Sequence, residues 1–226
     1  MSGGDLAALW LTLRLAATVT ALLLLVGSPL AWWLAFGRSR LRPAVEAATA
    51  LPLVLPPTVL GFYLLVFLSP TTPLGGWFLT VTGQSLTFSF TGLVLASMIY
   101  SLPFMVQPLQ AAFTAMGPAP LEAAASLRAG PLDRFFSVAV PLGWRGYLTA
   151  IVLTFAHTVG EFGVVLMVGG NIPDRTRVVS IAIYEHVETL DYAAAHRLSL
   201  WLLVLSFLVL LLVYSVNRTS RESLRR

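Results

Sequence analysis

Cysteine and lysine are both absent from this 226-residue chain. Without cysteine there is no disulfide, no thiolate nucleophile and no thiolate metal ligand. Without lysine there is no ordinary P-loop, because that motif sets a lysine ammonium on the nucleotide phosphates. Any ATP that drives the protein is therefore bound by another subunit. Charge is scarce too: 11% of the residues are charged, where soluble domains carry about a quarter. With 57% hydrophobic residues and a mean hydropathy of +0.83, the chain reads as an all-α integral membrane protein. Every basic residue is arginine and the net charge is +4. That excess sits largely in short flanks, a pattern of membrane topology rather than of nucleic-acid binding.

Five spans are expected, with six as the alternative count, in a single domain over 11–217. Residues 15–37 form an uncharged run long enough to cross a bilayer core of about 30 Å. A signal peptide is disfavoured, since Asp5 accompanies Arg14 before the run and no A-x-A-like site follows it. The run is read as a retained helix with Trp32 and Trp33 near an interface, and Arg38, Arg40 and Arg42 make a basic loop after it. From Ala47 to Leu121 no residue is charged, which is too long for one span. Turn formers at Ser69–Gly76 divide it into helices over about 47–68 and 88–110. Residues 77–87 between them read as a polar-aromatic external loop with room for a short helix. A fourth helix is expected over 144–168 and a fifth over 198–217. A basic tail at 218–226 holds Arg218, Arg221, Arg225 and Arg226. By the positive-inside rule the 38–42 loop and the tail are cytoplasmic, which leaves the N-terminus outside and the C-terminus in the cytoplasm.

Three stretches carry chemistry. Pro52, Pro56 and Pro57 interrupt the second span and free backbone carbonyls that lipid cannot satisfy, so Pro56, Pro57 and Thr58 are candidates for a water-filled path. A packing irregularity is the competing reading. In the fourth span His157 and Glu161 lie one turn apart on one face, and Ala156 and Gly160 form a small-xxx-small pair. An ionisable residue in a span is a functional candidate, and packing is again the alternative. Two residues at this spacing are too few for a metal site. The polar segment 169–197 holds Asp174, Arg175, Arg177, Glu185, Glu188, Asp191 and Arg197. Ile181, Tyr184 and Val187 in it recur at helical spacing, which predicts an amphipathic helix.

Residues 117–142 are a long polar break. Two short helical patterns, Pro118–Leu127 and Pro131–Val140, flank Ala129-Gly130-Pro131. Glu122-Ala123-Ala124, followed nineteen residues after the glutamate by Pro141, resembles the EAA loop of ABC-importer permeases, which docks on the ATPase subunit. The family usually has glycine six residues after the glutamate; this chain has Arg128 there and Gly130 two residues later. LPLVLPPTVLGFYLL and GEFGVVLMVGGNIPDRTRVVSIAIY are similar to segments of molybdate-type permeases. The resemblance, from about residue 11 to 215, implies the type I permease fold and a homodimer with the path on its axis. It also implies two ATPase copies carrying ATP and Mg, no cofactor bound by this chain, and an external oxyanion-binding protein. Glu122, Ala123, Ala124, Arg128, Gly130 and Pro141 would then couple to the ATPase. Asp174, Arg175, Arg177, Glu188 and Asp191 would help dock the binding protein.

The function this implies is import of an oxyanion, molybdate or tungstate, with a sulfate-type permease as the alternative. Arg145 stands at the very start of the fourth span and no other arginine lies inside the spans from Ala47 onward, so a dianion meets no fixed positive trap near the midplane. The path would be one of hydroxyls, backbone and His157, with selectivity left to the binding protein. His157 and Thr158 are the expected donors. Glu161 would repel a dianion and is expected behind them, paired with a helix end or with His157. A hydrolase built on His157 and Glu161 lacks a third member. An ion-coupled carrier using Glu161 is disfavoured by the lack of an internal repeat.

Overall fold

Leu11, Leu15, Val19 and Leu23 recur every fourth residue and are all buried, so one face of the first helix is committed to protein rather than lipid. A computed structural model describes the backbone of residues 3–223 and the side chains of residues 3–211. The first helix, α1, runs over Gly3–Phe36, about 50 Å at 1.5 Å per residue. It starts well before residue 15, because the two charges that seemed to bound the run are accommodated. Asp5 is buried and its Oδ1 lies 3.0 Å from His186 Nε2, while the Arg14 guanidinium sits 4.4 Å from the Phe90 ring centroid.

The expected second helix over 47–68 is instead broken. Helix α2 (Arg42–Ala50) passes into a 3-10 turn, Leu51–Leu53, and α3 (Pro57–Phe67) leaves at 111° to that pair. Each proline disfavours helical backbone in the residue before it, and Pro56 is extended with ψ 135°. Pro57 then opens α3 at a position where its missing N–H costs nothing. A short helix, α4 (Pro73–Thr82), follows, and its N–H at Gly75 is capped by Thr72 Oγ1 at 3.1 Å. The third span is α5 (Phe90–Met116), opened by Ser89, whose hydroxyl accepts from Gly92 N at 3.1 Å.

The polar break forms α6 (Ala119–Ser126) and then α7 (Pro131–Asp133), which winds through a π-helical turn, Arg134–Ala139, into α8 (Val140–Leu142). The expected fourth helix is also interrupted. Helix α9 (Trp144–Gly160) ends where Glu161 turns extended, with ψ 132°, and α10 (Gly163–Gly169) begins after Phe162. The predicted amphipathic helix is α11 (Val179–Glu188). The last helix, α12 (Tyr192–Ser223), starts before residue 198 because Asp191 Oδ1 caps it, accepting from Ala194 N at 3.0 Å. Of the basic tail, 218–223 continue α12 as backbone, and the arginine side chains lie outside the described residues.

Among the described residues, α1, α5 and Tyr192–Leu211 are long and apolar enough to cross a membrane alone, and the count is five if each of two bent helix pairs is one span. Helices α1, α5 and α9 share the main core around Leu15, Leu23, Met105, Leu109, Phe113 and Ala150. Trp32 closes its far end, edge-on to Phe113 and Phe135 at 5.5 and 5.3 Å. A second core joins α3, α5 and α10 through Leu64, Ala96, Val164 and Val168. The third joins the start of α1 to α11 and α12, with Val179 N donating to Thr12 Oγ1 at 2.8 Å.

Helices α3 and α10 approach closely because each offers a glycine. A Cβ on Gly61 would lie 2.8 Å from Met167 Cβ, and one on Gly163 would lie 2.7 Å from Pro57 Cβ. Gly163→Ala is expected to push the two helices apart at a cost of about 1–3 kcal/mol, read as a lower thermal midpoint of the detergent-purified protein. An unchanged midpoint would show that this contact is loose.

Candidate functional site

The two interrupted spans face each other across a cavity of about 570 Å³. Pro57 and Thr58 at the start of α3 line one wall. Ala156, His157, Gly160, Glu161, Phe162 and Gly163, from the end of α9 through the break into α10, line another, with Tyr100 of α5 between them. The second break sets its nonhelical Glu161 and Phe162 on the cavity, whereas at the first only the helical Pro57 and Thr58 line it, and Pro56 is exposed outside it. Sequence positions about a hundred residues apart are thus brought together.

His157 is held from both sides. Its ring stacks on Phe104 at 3.9 Å and lies 4.8 Å from Tyr100, and its Nδ1 is 2.9 Å from Ser101 Oγ. Thr158 donates its hydroxyl proton to the Thr154 carbonyl at 2.9 Å and lies 3.0 Å from Ser101 Oγ. When Ser101 donates to His157 Nδ1, the imidazole Nε2 carries the hydrogen and becomes a donor on the cavity side. Thr158 is buried, its proton is used within α9, and it does not line the cavity. The expected donor pair therefore reduces to His157, with the Thr58 hydroxyl across from it.

Glu161 lines the cavity with its backbone and stem while both carboxylate oxygens are fully buried and unpartnered. It stands behind the surface, as charge repulsion requires. It makes no hydrogen bond to His157, whose Nδ1 faces Ser101 instead. The Ser97 hydroxyl of α5 is likewise buried without a hydrogen-bond partner among the described residues. A Cβ added to Gly160 would meet no atom within 4 Å, so no helix of the same chain packs on Gly160, and the Ala156/Gly160 pair lines the cavity instead. Tyr100, Ser101 and Phe104 were not legible as site residues, for they lie in an uncharged apolar run with no distinguishing spacing.

At the opposite end of α9 the polar loop presents Glu122, Ala123, Arg128, Gly130 and Pro141 to solvent, with Ala124 half-buried. Leu127, Leu132 and Phe136 are exposed beside them, at 85%, 75% and 64%, an apolar patch on a loop otherwise marked by charge. The end of α6 shows why glycine belongs six residues after Glu122. Arg128 N donates to Ala125 O at 2.9 Å and Ala129 N to Ala124 O at 3.1 Å, the paired bonds of a Schellman motif, whose C′ residue is left-handed. Arg128 occupies that position with φ 65°.

The sequence matches the family described as "Binding-protein-dependent transport system inner membrane component" over residues 27–221. The chain belongs to this family. It is 59% identical over 218 residues to the "Molybdenum transport system permease protein ModB" of Azotobacter vinelandii, covering 96% of each chain. It is 39% identical over 204 residues to the ModB of Mycobacterium tuberculosis, covering 90% of this chain and 76% of that one. A "Probable sulfate transport system permease protein cysT" of Zygnema circumcarinatum is 34% identical, over 96% of this chain and 74% of that one. The fold is similar to a chain of a bacterial alginate ABC transporter, with TM-score 0.77, 18% identity, and coverage of 97% of this chain and 80% of that one. It is also similar to a chain of the MetNI methionine ABC transporter in an inward-facing form, with TM-score 0.73, 17% identity, and coverage of 97% and 99%.

In this inner-membrane component the outer polar segment is only partly free. Arg177 donates to Asn171 Oδ1 at 2.7 Å and pairs with Glu185 at 3.1 Å, so its charge is spent within the chain. Glu188 accepts from Tyr184 at 2.6 Å and Asp191 caps α12. Asp174 and Arg175 are exposed at a turn, with Asp174 left-handed at φ 60°, and make no side-chain hydrogen bond or ion pair among the described residues.

Two predictions follow from this geometry. Because the chain has no native cysteine, Thr58→Cys and His157→Cys are expected to react with water-soluble thiol reagents at rates that change when ATP is supplied; labelling by lipid-soluble reagents alone would return both to packing roles. Arg128→Gly is expected to leave transport and stability nearly unchanged, since relief of left-handed strain offsets the added chain entropy. Arg128→Val is expected to cost about 1 kcal/mol or more, seen as weakened ATPase association in pull-down.

Proposed function

We propose that this chain is the transmembrane permease subunit of an ATP-driven importer for molybdate, with tungstate as the close chemical alternative. The carrying observation is the 59% identity to a molybdenum permease across 96% of both chains. The sulfate-type reading rests on lower identity over a smaller share of the relative. The chain itself is not an enzyme in this reading: ATP and Mg belong to a separate ATPase chain. Glu161 gives little support to an ion-coupled carrier, since its carboxylate oxygens are turned away from the cavity.

The working unit is a homodimer with two ATPase copies. The cavity is not enclosed by this one chain, and closing it against a second copy on a two-fold axis would keep its polar groups from lipid. The 38–42 loop, the 117–142 loop and the tail face the cytoplasm, and the N-terminus and α11 face outward, as the arginine distribution supports. Leu127, Leu132 and Phe136 around Glu122 form the ATPase dock, an apolar centre with a charged rim. Asp174 and Arg175, with Glu188 and Asp191 nearby, form the outer dock for an oxyanion-binding protein, where charges of both signs select the partner.

Reconstituted complex should take up labelled molybdate in an ATP- and binding-protein-dependent way, with sulfate competing poorly; preferential sulfate uptake would move the assignment to the sulfate class. Glu122→Arg is expected to leave the permease in the membrane while lowering uptake roughly tenfold or more, the effect of losing about 1.4 kcal/mol at the dock. Normal uptake by this variant would place the ATPase dock elsewhere.

A further inference from the structure

Two contacts tie the outer helix α11 to the break between α9 and α10. Ser180 Oγ donates to the Glu161 carbonyl at 2.5 Å, and the Tyr184 ring lies 5.1 Å from the Phe162 ring. Ser180 and Tyr184 are four residues apart and share one face of α11. Glu161 and Phe162, the residues they hold, are the whole of the nonhelical link between α9 and α10. The extended Glu161 backbone takes its carbonyl out of the helical ladder, and Ser180 supplies the partner that the ladder no longer provides.

The same two residues line the cavity on their other side. Helix α11, for its part, reaches the outer surface: Tyr184 is 44% exposed and donates its hydroxyl to the exposed Glu188. Its first turn and last turn are pinned to α1 by the Thr12–Val179 bond and the Asp5–His186 pair. A force on the outer face of α11 therefore meets a fixed helix on one side and a two-residue hinge on the other.

We propose that Ser180 and Tyr184 transmit docking of the external binding protein to the cavity, by setting the Glu161–Phe162 break. This rests on the importer reading, in which α11 faces outward beside the binding-protein dock. Ser180 acts as a positioning residue and touches no cargo.

The test uses the full complex of permease, ATPase and binding protein in lipid vesicles. Binding-protein titrations yield the half-saturating concentration and the maximal stimulation of ATP hydrolysis. Thiol labelling of Thr58→Cys reports the cavity in the same preparations. For Ser180→Ala we expect unchanged basal hydrolysis, a half-saturating concentration within twofold of the parent, and maximal stimulation lowered severalfold. The change in Thr58→Cys labelling on docking should shrink with it. Tyr184→Phe keeps the ring and should retain stimulation, while Tyr184→Leu should lose it. Full stimulation in both Ser180→Ala and Tyr184→Leu would overturn the proposal, as would an effect confined to the half-saturating concentration, which would make these residues part of the dock alone. A parent complex that no oxyanion-loaded binding protein stimulates would sink the importer reading, and the transmission role with it.

Discussion

A backbone amide in hydrocarbon must have a partner, and this architecture is arranged around the places where the helical ladder fails to supply one. Two spans are interrupted, one at the prolines before α3 and one at Glu161–Phe162. Both interruptions are packed toward each other, with α5 beside them. Gly61 and Gly163 allow the two short helices to approach closely, and the start of α3 and the nonhelical Glu161 and Phe162 face a cavity that can hold water. The uninterrupted α1 and α5 do the opposite work. They run on as helix past Pro29, Pro103 and Pro108, so they can carry the main apolar core and hold the broken elements in place.

In the proposed importer the same arrangement would let an oxyanion pass without an arginine in its way. A cation fixed in low dielectric binds a dianion strongly, which slows release. His157 offers a softer contact. Its ring is fixed by Phe104 and Ser101, and the Thr58 hydroxyl adds a neutral group on the facing wall. Glu161 carries the one acidic side chain at the break, and its carboxyl is buried behind the wall rather than presented to the cargo.

The two ends of the molecule use different surface chemistry. The cytoplasmic loop of the proposed topology combines exposed leucines and Phe136 with a helix end fixed by the left-handed Arg128, a firm apolar knob of the kind that fills a groove. The outer segment spends much of its charge internally, on the Arg177–Asn171–Glu185 network and on the α12 cap. That rigidity suits a surface that passes a push inward instead of yielding to it.

Composition alone settled the membrane class, because 57% hydrophobic residues with 11% charged leave no other solvent for the helices. The spacing from Glu122 to Pro141 was equally legible, since a surface loop is read by its partner in sequence order. Local patterns also placed α11 and the two short helices around Gly130. What local pattern cannot decide is whether a run of apolar residues stays in one helix. The prolines marked the break in the 47–68 run locally, but the 144–168 run looked continuous and is broken at Glu161, whose carbonyl takes its partner from distant Ser180. The partners of His157 were hidden for the same reason. Ser101 and Phe104 lie more than fifty residues away in an uncharged run, and their roles come from which face of α5 meets α9. That choice depends on side-chain packing between distant segments, so only the tertiary structure decided it.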